Sequence, residues 1–144
     1  DTYYYSPQGK SHKKPPSELS QDLKQFIDKN MSELHFGITN MTIDSAEGAL
    51  ENQFYNDYGV HWHKVKKLKK VDMIDRVQDL LAQGRFYYLD RPDNEIFIAE
   101  HRKYQWDENT LQSDDPKVIK VDDHTCDQFQ YLCLSNERAF GLKY

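Results

Sequence analysis

The chain has 144 residues, of which 38% are hydrophobic and 30% charged, and its formal net charge is -5. These values suit one globular domain with a core of ordinary size, which ten Tyr and seven Phe help to fill. No apolar run reaches the length of a membrane span and no signal peptide is visible, so a membrane protein is excluded at this stage. Cys126 and Cys133 are too far apart along one predicted helix for a disulfide, and we expect both to be reduced.

The first half of the chain is predicted to alternate strands with amphipathic helices. The helices follow from apolar residues at helical spacing, and the strands from short runs of aromatic or alternating apolar residues. Strands are expected at 2–6, 37–44 and 60–65, and helices at 17–30 and at 45–59, the second closed by Gly59.

The second half is predicted to continue the alternation. A helix is expected at 69–84, ended by Gly84, and a hairpin formed by "RFYYLD" and "EIFIAE" around the turn "RPDN" at 91–94. A short strand at 117–121 leads to a final helix that starts at Asp122. Strands that alternate with helices indicate an α/β layer fold with a largely parallel sheet.

Asp44 ends the strand "MTID" and is followed directly by the helical pattern "SAEG". Reactive groups of α/β proteins gather at the carboxyl ends of strands, which makes Asp44 a candidate functional residue. The structural alternative is that Asp44 caps the next helix, a position that Asp often fills. The sequence favours the cap slightly when this residue is taken alone.

The stretch "VDDHTCDQFQYL" at 121–132 places Asp122, Asp123, His124 and Asp127 in the first turns of the last helix. Acidic residues are favoured there by the helix dipole, so a structural role is the first alternative. His124 and Asp127, however, are three residues apart and project from one face, where both could approach one ion. One His with carboxylates suits Mg²⁺ or Mn²⁺ better than structural zinc.

"KVKKLKK" at 64–70 holds five lysines in seven residues of an otherwise acidic chain. Lysines at a helix N-terminus oppose the helix dipole, which argues for a role in contacting DNA phosphates rather than for a solvated helix start. The residues that we assign to this role are Lys66, Lys67, Lys69 and Lys70. No phosphate-binding G-x-x-x-x-G-K pattern is present in the sequence.

Four segments carry a family resemblance, in this order: "YYYSPQGKSHKKPPSELSQDL", "TIDSAEGAL", "KKLKKVDMIDRVQDLLAQGRFYYLD" and "DDHTCDQFQYL". Together they span nearly the whole chain. The set resembles the C-terminal nuclease domain of the large terminase subunit of tailed bacteriophages, the enzyme that cuts and packages viral DNA. "IDSAE" alone is a weak motif, whereas the ordered set is fairly specific.

The resemblance implies a ribonuclease-H-like α/β fold, a mixed sheet flanked by helices, with residues 1–144 in a single nuclease domain. It also implies an endonuclease that uses two divalent ions, Mg²⁺ or Mn²⁺. Asp44 matches the family's carboxylate at the end of a strand, and Asp127 matches the carboxylate on the last helix. His124 matches a position that approaches the metal in some members.

One part of the family pattern has no match, namely a third carboxylate on the first strand of the sheet. We therefore expect the N-terminal strands of the domain to be missing and this chain by itself to bind metal weakly and to cut poorly. The partners implied are double-stranded viral DNA, the packaging ATPase domain of the same subunit, the small terminase subunit and the portal. The implied location is the host cytoplasm, transiently at the procapsid portal, without a membrane.

Two other hypotheses stay open from the sequence. The first is a non-catalytic module that binds DNA or docks on the packaging motor through the same lysines. The second is an unrelated small α/β domain in which Asp44 and Asp123 are simple helix caps. Only the nuclease hypothesis predicts nicking of DNA that depends on a divalent metal.

Overall fold

The computed structural model describes residues 1–144. They form two compact units: the first contains residue 1 with residues 3–64, and the second contains residue 2 with residues 65–144. None of the helices has an apolar stretch of the length that a membrane span requires. The helices and strands are, in chain order, α1 (Pro16–Leu34), β1 (Thr42–Ile43), α2 (Gly48–Tyr58), β2 (His63–Lys64), α3 (Lys70–Ala82), α4 (Glu95–Lys103) and α5 (His124–Ser135).

The first unit is built on the packing of α1 against α2. Ser20 of α1 is fully buried and donates a hydrogen bond to Asp57 of α2 at 2.7 Å. Phe54 of α2 is also buried, and its ring centroid lies 4.9 Å from that of Tyr58 and 5.2 Å from that of Trp62. Gly59 ends α2 with a left-handed backbone, as predicted, because a residue without Cβ adopts that conformation without strain.

Strands β1 and β2 form a parallel pair in which Thr42 faces His63 and Ile43 faces Lys64. The predicted parallel arrangement and its position are confirmed, but only two residues of each predicted strand are paired. The predicted strand at 2–6 is wrong. Its tyrosines instead hold the N-terminal segment within this unit, since Tyr3 donates to Asp22 at 2.6 Å and Tyr5 accepts from the Lys14 backbone at 2.8 Å.

The second unit is organised around α5, which packs against both α3 and α4. The side chains at its centre come from α3, from α5 and from the C-terminal segment. They are Val77, Leu80, Phe129, Cys133 and Leu142, with Phe86, Phe97 and Phe140 packed around them. The predicted helices at 69–84 and from 122 onwards are confirmed as α3 and α5, and Gly84 follows α3 with the expected positive φ of 63°.

The predicted hairpin is wrong, because "EIFIAE" forms the start of helix α4. Pro92 begins a 3-10 turn at Pro92–Asn94 that leads directly into this helix. Phe97, His101 and Glu100 then face α5 at helical spacing, a pattern that apolar periodicity misses because two of the three are polar. The predicted strand at 117–121 is reduced to one antiparallel bridge, between Trp106 and Val118.

Substitution of Phe129 would test this description of the core. It is 4% exposed, and its ring centroid lies 4.7 Å from that of Phe86 and 5.3 Å from that of Phe97. We expect Phe129→Ala to lower the free energy of unfolding by about 3–5 kcal/mol, measured by guanidinium chloride denaturation. Leu132→Ala is the matched control in the same helix, since Leu132 is 41% exposed and should cost less than about 1 kcal/mol. Equal losses would contradict the assignment of the buried face of α5.

Candidate functional site

Helix α5 begins directly after Asp122 and Asp123 and carries most of the candidate ligands. Asp122 has a left-handed backbone with a φ of 49°, which Asp tolerates better than most residues. Asp123 follows at the N-cap position, where its side chain is buried but makes no capping hydrogen bond. Asp123 therefore occupies the cap position without acting as a side-chain cap.

The carboxylate of Glu100 in α4 instead accepts hydrogen bonds from the first turn of α5. Its Oε2 accepts hydrogen bonds from the backbone N–H and the hydroxyl of Thr125, at 2.7 and 2.6 Å. Both residues are buried, and Oε1 of Glu100 has no hydrogen-bond partner. A carboxylate next to the N-terminal N–H groups of a helix is also favoured by the helix dipole. Sequence analysis missed Glu100 because it lies in the segment that was predicted to be a strand.

Asp127 lies in the first turn of α5, and each of its oxygens contacts a lysine. Oδ1 is 2.7 Å from Nζ of Lys70, and Oδ2 is 3.0 Å from Nζ of Lys120. The side chain of Asp127 is 21% exposed, so solvent screens these ion pairs only in part. The carboxylate is thus already placed against two cationic groups.

Lys70, the first residue of α3, is held firmly in this arrangement. Its side chain is 14% exposed, and Nζ also donates to Oε1 of Gln130 at 3.1 Å. Gln130 is buried and donates in turn to the hydroxyl of Tyr104 at 2.9 Å. Burial raises the pKa of Tyr104 to about 12, so this hydroxyl stays neutral at physiological pH. Lys70 therefore belongs to a partly buried polar network that connects α3, α5 and the end of α4.

Lys120 is the more exposed of the two lysines on Asp127, with 59% of its side chain accessible. Its Nζ also lies 2.9 Å from Oδ2 of Asp123, with which it forms an ion pair. Burial by itself lowers the pKa of Lys120, but the contacts and charges of Asp123 and Asp127 outweigh it and raise that pKa above its usual range. Lys120 is therefore a protonated cation between two carboxylates.

The other two residues of the motif differ in environment. His124, the first residue of α5, is exposed, and it lies one helical turn from Asp127 as its spacing predicts. Cys126 is buried, and burial followed by the nearby charge of Glu100 raises the pKa of its thiol to about 12. Such a thiol is protonated at neutral pH and is a poor metal ligand.

Asp44 belongs to the first unit and lies directly after β1. Its Oδ1 accepts a hydrogen bond from the backbone N–H of Ala46 at 2.9 Å, which forms an Asx turn. Helix α2 starts later, with Glu47 at its N-cap, so the interpretation of Asp44 as a helix cap is wrong. The carboxylate of Asp44 thus lies at the carboxyl end of a parallel strand, where functional residues of α/β proteins are commonly found.

The lysine-rich stretch divides into exposed and enclosed members. Lys66, Lys67 and Lys69 are exposed, and the ammonium of Lys67 lies 5.2 Å from the centroid of the Tyr131 ring. An open hollow of about 480 Å³ begins at this stretch, and four of its lining side chains are lysines. Its lining residues are Leu68, Lys69, Lys70, Asp115, Lys117, Val118 and Lys120. Sequence analysis missed Lys117 and Lys120, which fall in the predicted strand "KVIKV".

The carboxylates and imidazole named above fit a divalent cation by donor type, since oxygen ligands with one His suit Mg²⁺ or Mn²⁺. Two ammonium groups lie within 3.0 Å of the Asp127 oxygens, so a divalent ion at Asp127 would have to displace at least one of them. Residues 1–144 contain no group of three or more His, Cys, Asp or Glu side chains that could hold a metal ion. The donors thus fit in kind.

Comparison with known families and folds agrees with this architecture. Residues 1–133 match the family model of the terminase RNase H-like domain. No curated protein sequence matches the chain.

Solved structures of the large terminase from a thermophilic bacteriophage share the fold. Crystal form 2 of that terminase matches with a TM-score of 0.78 and 22% identity, over 96% of this chain and 32% of that chain. Its complex with ATP-gamma-S matches with a TM-score of 0.76 and 22% identity, over 91% of this chain and 31% of that chain. This chain therefore spans about a third of the phage protein, and the match confirms the ribonuclease-H-like α/β fold that the sequence predicts.

The two cysteines provide a test of the environment of α5. Burial raises the pKa of both thiols to about 12, and neither forms a disulfide. At pH 8 we expect no reaction of the native chain with a chromogenic disulfide reagent on a timescale of minutes, and complete reaction of both thiols after unfolding in guanidinium chloride. Rapid reaction of either thiol in the native chain would contradict the packing of α5 described here.

Proposed function

The chain belongs to the terminase RNase H-like domain family, and from that premise we propose that it is a metal-dependent DNA endonuclease domain of a phage packaging terminase large subunit. The proposed reaction is the cutting of concatemeric double-stranded viral DNA with two divalent ions, Mg²⁺ or Mn²⁺. The observation that carries the proposal is the position of Asp127, a partly exposed carboxylate in the first turn of α5 next to a hollow lined by four lysines.

The residues proposed to hold the cations are Asp44, Asp127 and His124. When bound, divalent ions would activate the attacking water and stabilise the leaving 3′ oxygen. The chain's own contribution is to hold the side chains of Asp44 and Asp127 in defined positions. The Asx turn orients Asp44, while the Glu100–Thr125 hydrogen bonds fix the turn of α5 that carries Asp127.

The scissile strand would be held by lysines through its phosphates. Lys66, Lys67 and Lys69 are exposed and carry charge without being enclosed in the network around Asp127. Lys70 was assigned to the same role from the sequence, but its side chain is largely buried against Asp127 and Gln130. We therefore propose that Lys70 orients the carboxylate and that the three exposed lysines contribute the phosphate contacts.

The remaining partners are proposed from the family. The terminase of the thermophilic phage was solved with ATP-gamma-S, and this chain corresponds to 31% of that protein. We propose that nucleotide hydrolysis belongs to a separate ATPase domain of the same subunit. The small terminase subunit and the portal are further proposed partners, with activity in the host cytoplasm and transiently at the procapsid portal.

A second candidate function is a non-catalytic module that binds DNA or docks on the packaging motor. Two observations favour it, namely the occupation of both Asp127 oxygens by lysines and the lack of any group of three metal-binding side chains among residues 1–144. This module would bind DNA through the same lysines. It differs from the nuclease in that divalent ions would neither bind at Asp127 nor promote cutting.

Asp44→Asn and Asp127→Asn separate the two functions. Asn keeps an oxygen acceptor for Ala46 or Lys70 while removing the charge that a divalent ion requires. We expect each variant to weaken Mn²⁺ binding at least about tenfold by calorimetry, a loss of about 1.4 kcal/mol. We also expect each to abolish the slow nicking of a supercoiled plasmid that we expect of the unaltered chain at saturating Mn²⁺.

Asp28→Asn is the matched control, because Asp28 is likewise a helical Asp paired with a lysine, Lys24. It should bind Mn²⁺ and cut as the unaltered chain does. If the unaltered chain binds DNA but shows neither Mn²⁺ binding nor slow nicking at saturating Mn²⁺, the non-catalytic function is favoured. Unchanged Mn²⁺ binding in Asp127→Asn would remove that residue from the proposed site.

The lysine assignment is tested by the salt dependence of DNA binding. Each phosphate contact that is lost reduces the slope of log K against log salt by about 0.9 for duplex DNA. We expect the triple change of Lys66, Lys67 and Lys69 to Gln to reduce the slope by about 2–3 for any duplex sequence. Lys29→Gln with Lys143→Gln, two exposed lysines elsewhere, should leave it unchanged. An unaltered slope in the triple variant would exclude these lysines from the DNA interface.

A further inference from the structure

The loop that precedes helix α1 carries a cluster of positive charge that the proposed site does not use. This basic loop, residues 7–15, reads "PQGKSHKKP" and contains lysines and a histidine but no acidic residue. Lys10, His12 and Lys13 are exposed, and Lys14 is half-buried. The other lysines of residues 1–64 are Lys24, Lys29 and Lys64, and acidic residues outnumber them there. The positive charge of the first unit is therefore concentrated in the basic loop.

The carboxylates that contact the basic loop are occupied by two of its four cationic side chains. Asp22 of α1 accepts a hydrogen bond from the ammonium of Lys14. Oε1 of Glu18 lies 3.1 Å from Nε2 of His12. Within residues 1–144, neither Lys10 nor Lys13 forms an ion pair with a carboxylate. These two ammonium groups therefore keep their charge for an anion that approaches from the solvent.

The ring of Tyr5 orients the basic loop without cancelling its charge. Nζ of Lys10 lies 4.7 Å from the ring centroid, and Nζ of Lys14 lies 5.5 Å from it. The hydroxyl of Tyr5 also accepts a hydrogen bond from the backbone N–H of Lys14, at 2.8 Å. An aromatic face attracts an ammonium but has no net charge, unlike a carboxylate. Lys10 is therefore positioned by a neighbour that leaves its full positive charge available.

The backbone of the basic loop is restrained as well. The N–H of Lys10 donates to the carbonyl of Pro7 at 3.2 Å, across a turn in which Gly9 has a φ of 72°. Pro15 and Pro16 then lead directly into α1. A loop that is ordered before binding loses less conformational entropy when it meets a partner. Duplex DNA suits such a loop, since it presents one negative charge about every 1.7 Å along its axis.

We propose that the basic loop is a second contact surface for the phosphate backbone of double-stranded DNA, in which Lys10 and Lys13 contact phosphates and Tyr5 positions Lys10. The loop belongs to the first unit, and it involves neither Asp127 nor the lysines of the second unit. The inference rests on the proposed function only in taking duplex DNA as the partner, and it requires neither a metal ion nor cutting. Phosphate contacts carry no sequence information, so the loop would hold any duplex.

The salt dependence of duplex binding by the full chain, measured in EDTA, tests the inference through the loop variant Lys10→Gln with Lys13→Gln. Lys24→Gln with Lys29→Gln is the matched control, because it removes the same charge from the same unit. Lys24 also lies over a tyrosine ring, 5.6 Å from the Tyr58 centroid, but it is paired with Asp28. We expect the loop variant to reduce the slope of log K against log salt by about 1–2, and the control by less than about 0.5. Equal reductions would overturn the inference.

Tyr5→Leu tests the positioning role, because it removes the ring and keeps every lysine. We expect its affinity for a duplex at fixed salt to fall about threefold with the salt slope unchanged, since the charges remain but are less well ordered. Tyr5→Phe keeps the ring beneath Lys10 and should lose less than Tyr5→Leu. A melting curve of each variant confirms that it is folded. Unchanged affinity in a folded Tyr5→Leu chain would remove Tyr5 from the proposed surface.

The outcomes separate this inference from the proposed function. If the change of Lys66, Lys67 and Lys69 to Gln lowers the salt slope and the loop variant does not, the loop contact is overturned while the proposed DNA interface stands. If only the loop variant lowers the slope, the loop contact stands and the other three lysines are excluded. If the unaltered chain binds no duplex at low salt, both are overturned.

Discussion

The buried carboxylate of Glu100 fixes where helix α5 begins. The first N–H groups of a helix have no partner within it, and Glu100 supplies an acceptor from α4 through two hydrogen bonds to Thr125. Packing of Phe129 in the core then fixes the rotation of the helix, which directs Asp127 of its first turn to Lys70 at the start of α3. The ion pair therefore forms because a buried carboxylate sets the start of α5 and an apolar core sets its orientation.

The sequence predicted those features that depend on local chemistry. Amphipathic spacing located α1, α3 and α5, and Gly59 and Gly84 marked helix ends because a left-handed backbone favours glycine. Sequence-based prediction failed where non-local contacts decide the structure. The run "EIFIAE" alternates like a strand, yet it becomes helical because Phe97 and Glu100 both face α5.

The candidate site was predictable to a similar extent. Acidic residues after a strand and at a helix start drew attention to Asp44 and Asp127, since such positions commonly carry chemistry. The lysines on Asp127 were not predictable as its partners. Lys70 was assigned with the neighbouring lysines to contacts with DNA phosphates. Lys120 lies seven residues before Asp127 in a segment that was predicted to be extended. Both contacts arise only when α3 and the segment before α5 meet the same helix.

The lysines also solve a physical problem that any partly buried carboxylate presents. A partly buried anion without a partner destabilises the folded state, because it loses hydration without gaining an equivalent interaction. Lys70 and Lys120 supply that interaction before any metal arrives, so the first turn of α5 does not require a divalent ion to fold. The same contacts oppose metal binding, since a cation at Asp127 must displace an ammonium or share the carboxylate with it. Stability without metal and affinity for the proposed metal ion are therefore in opposition at this residue.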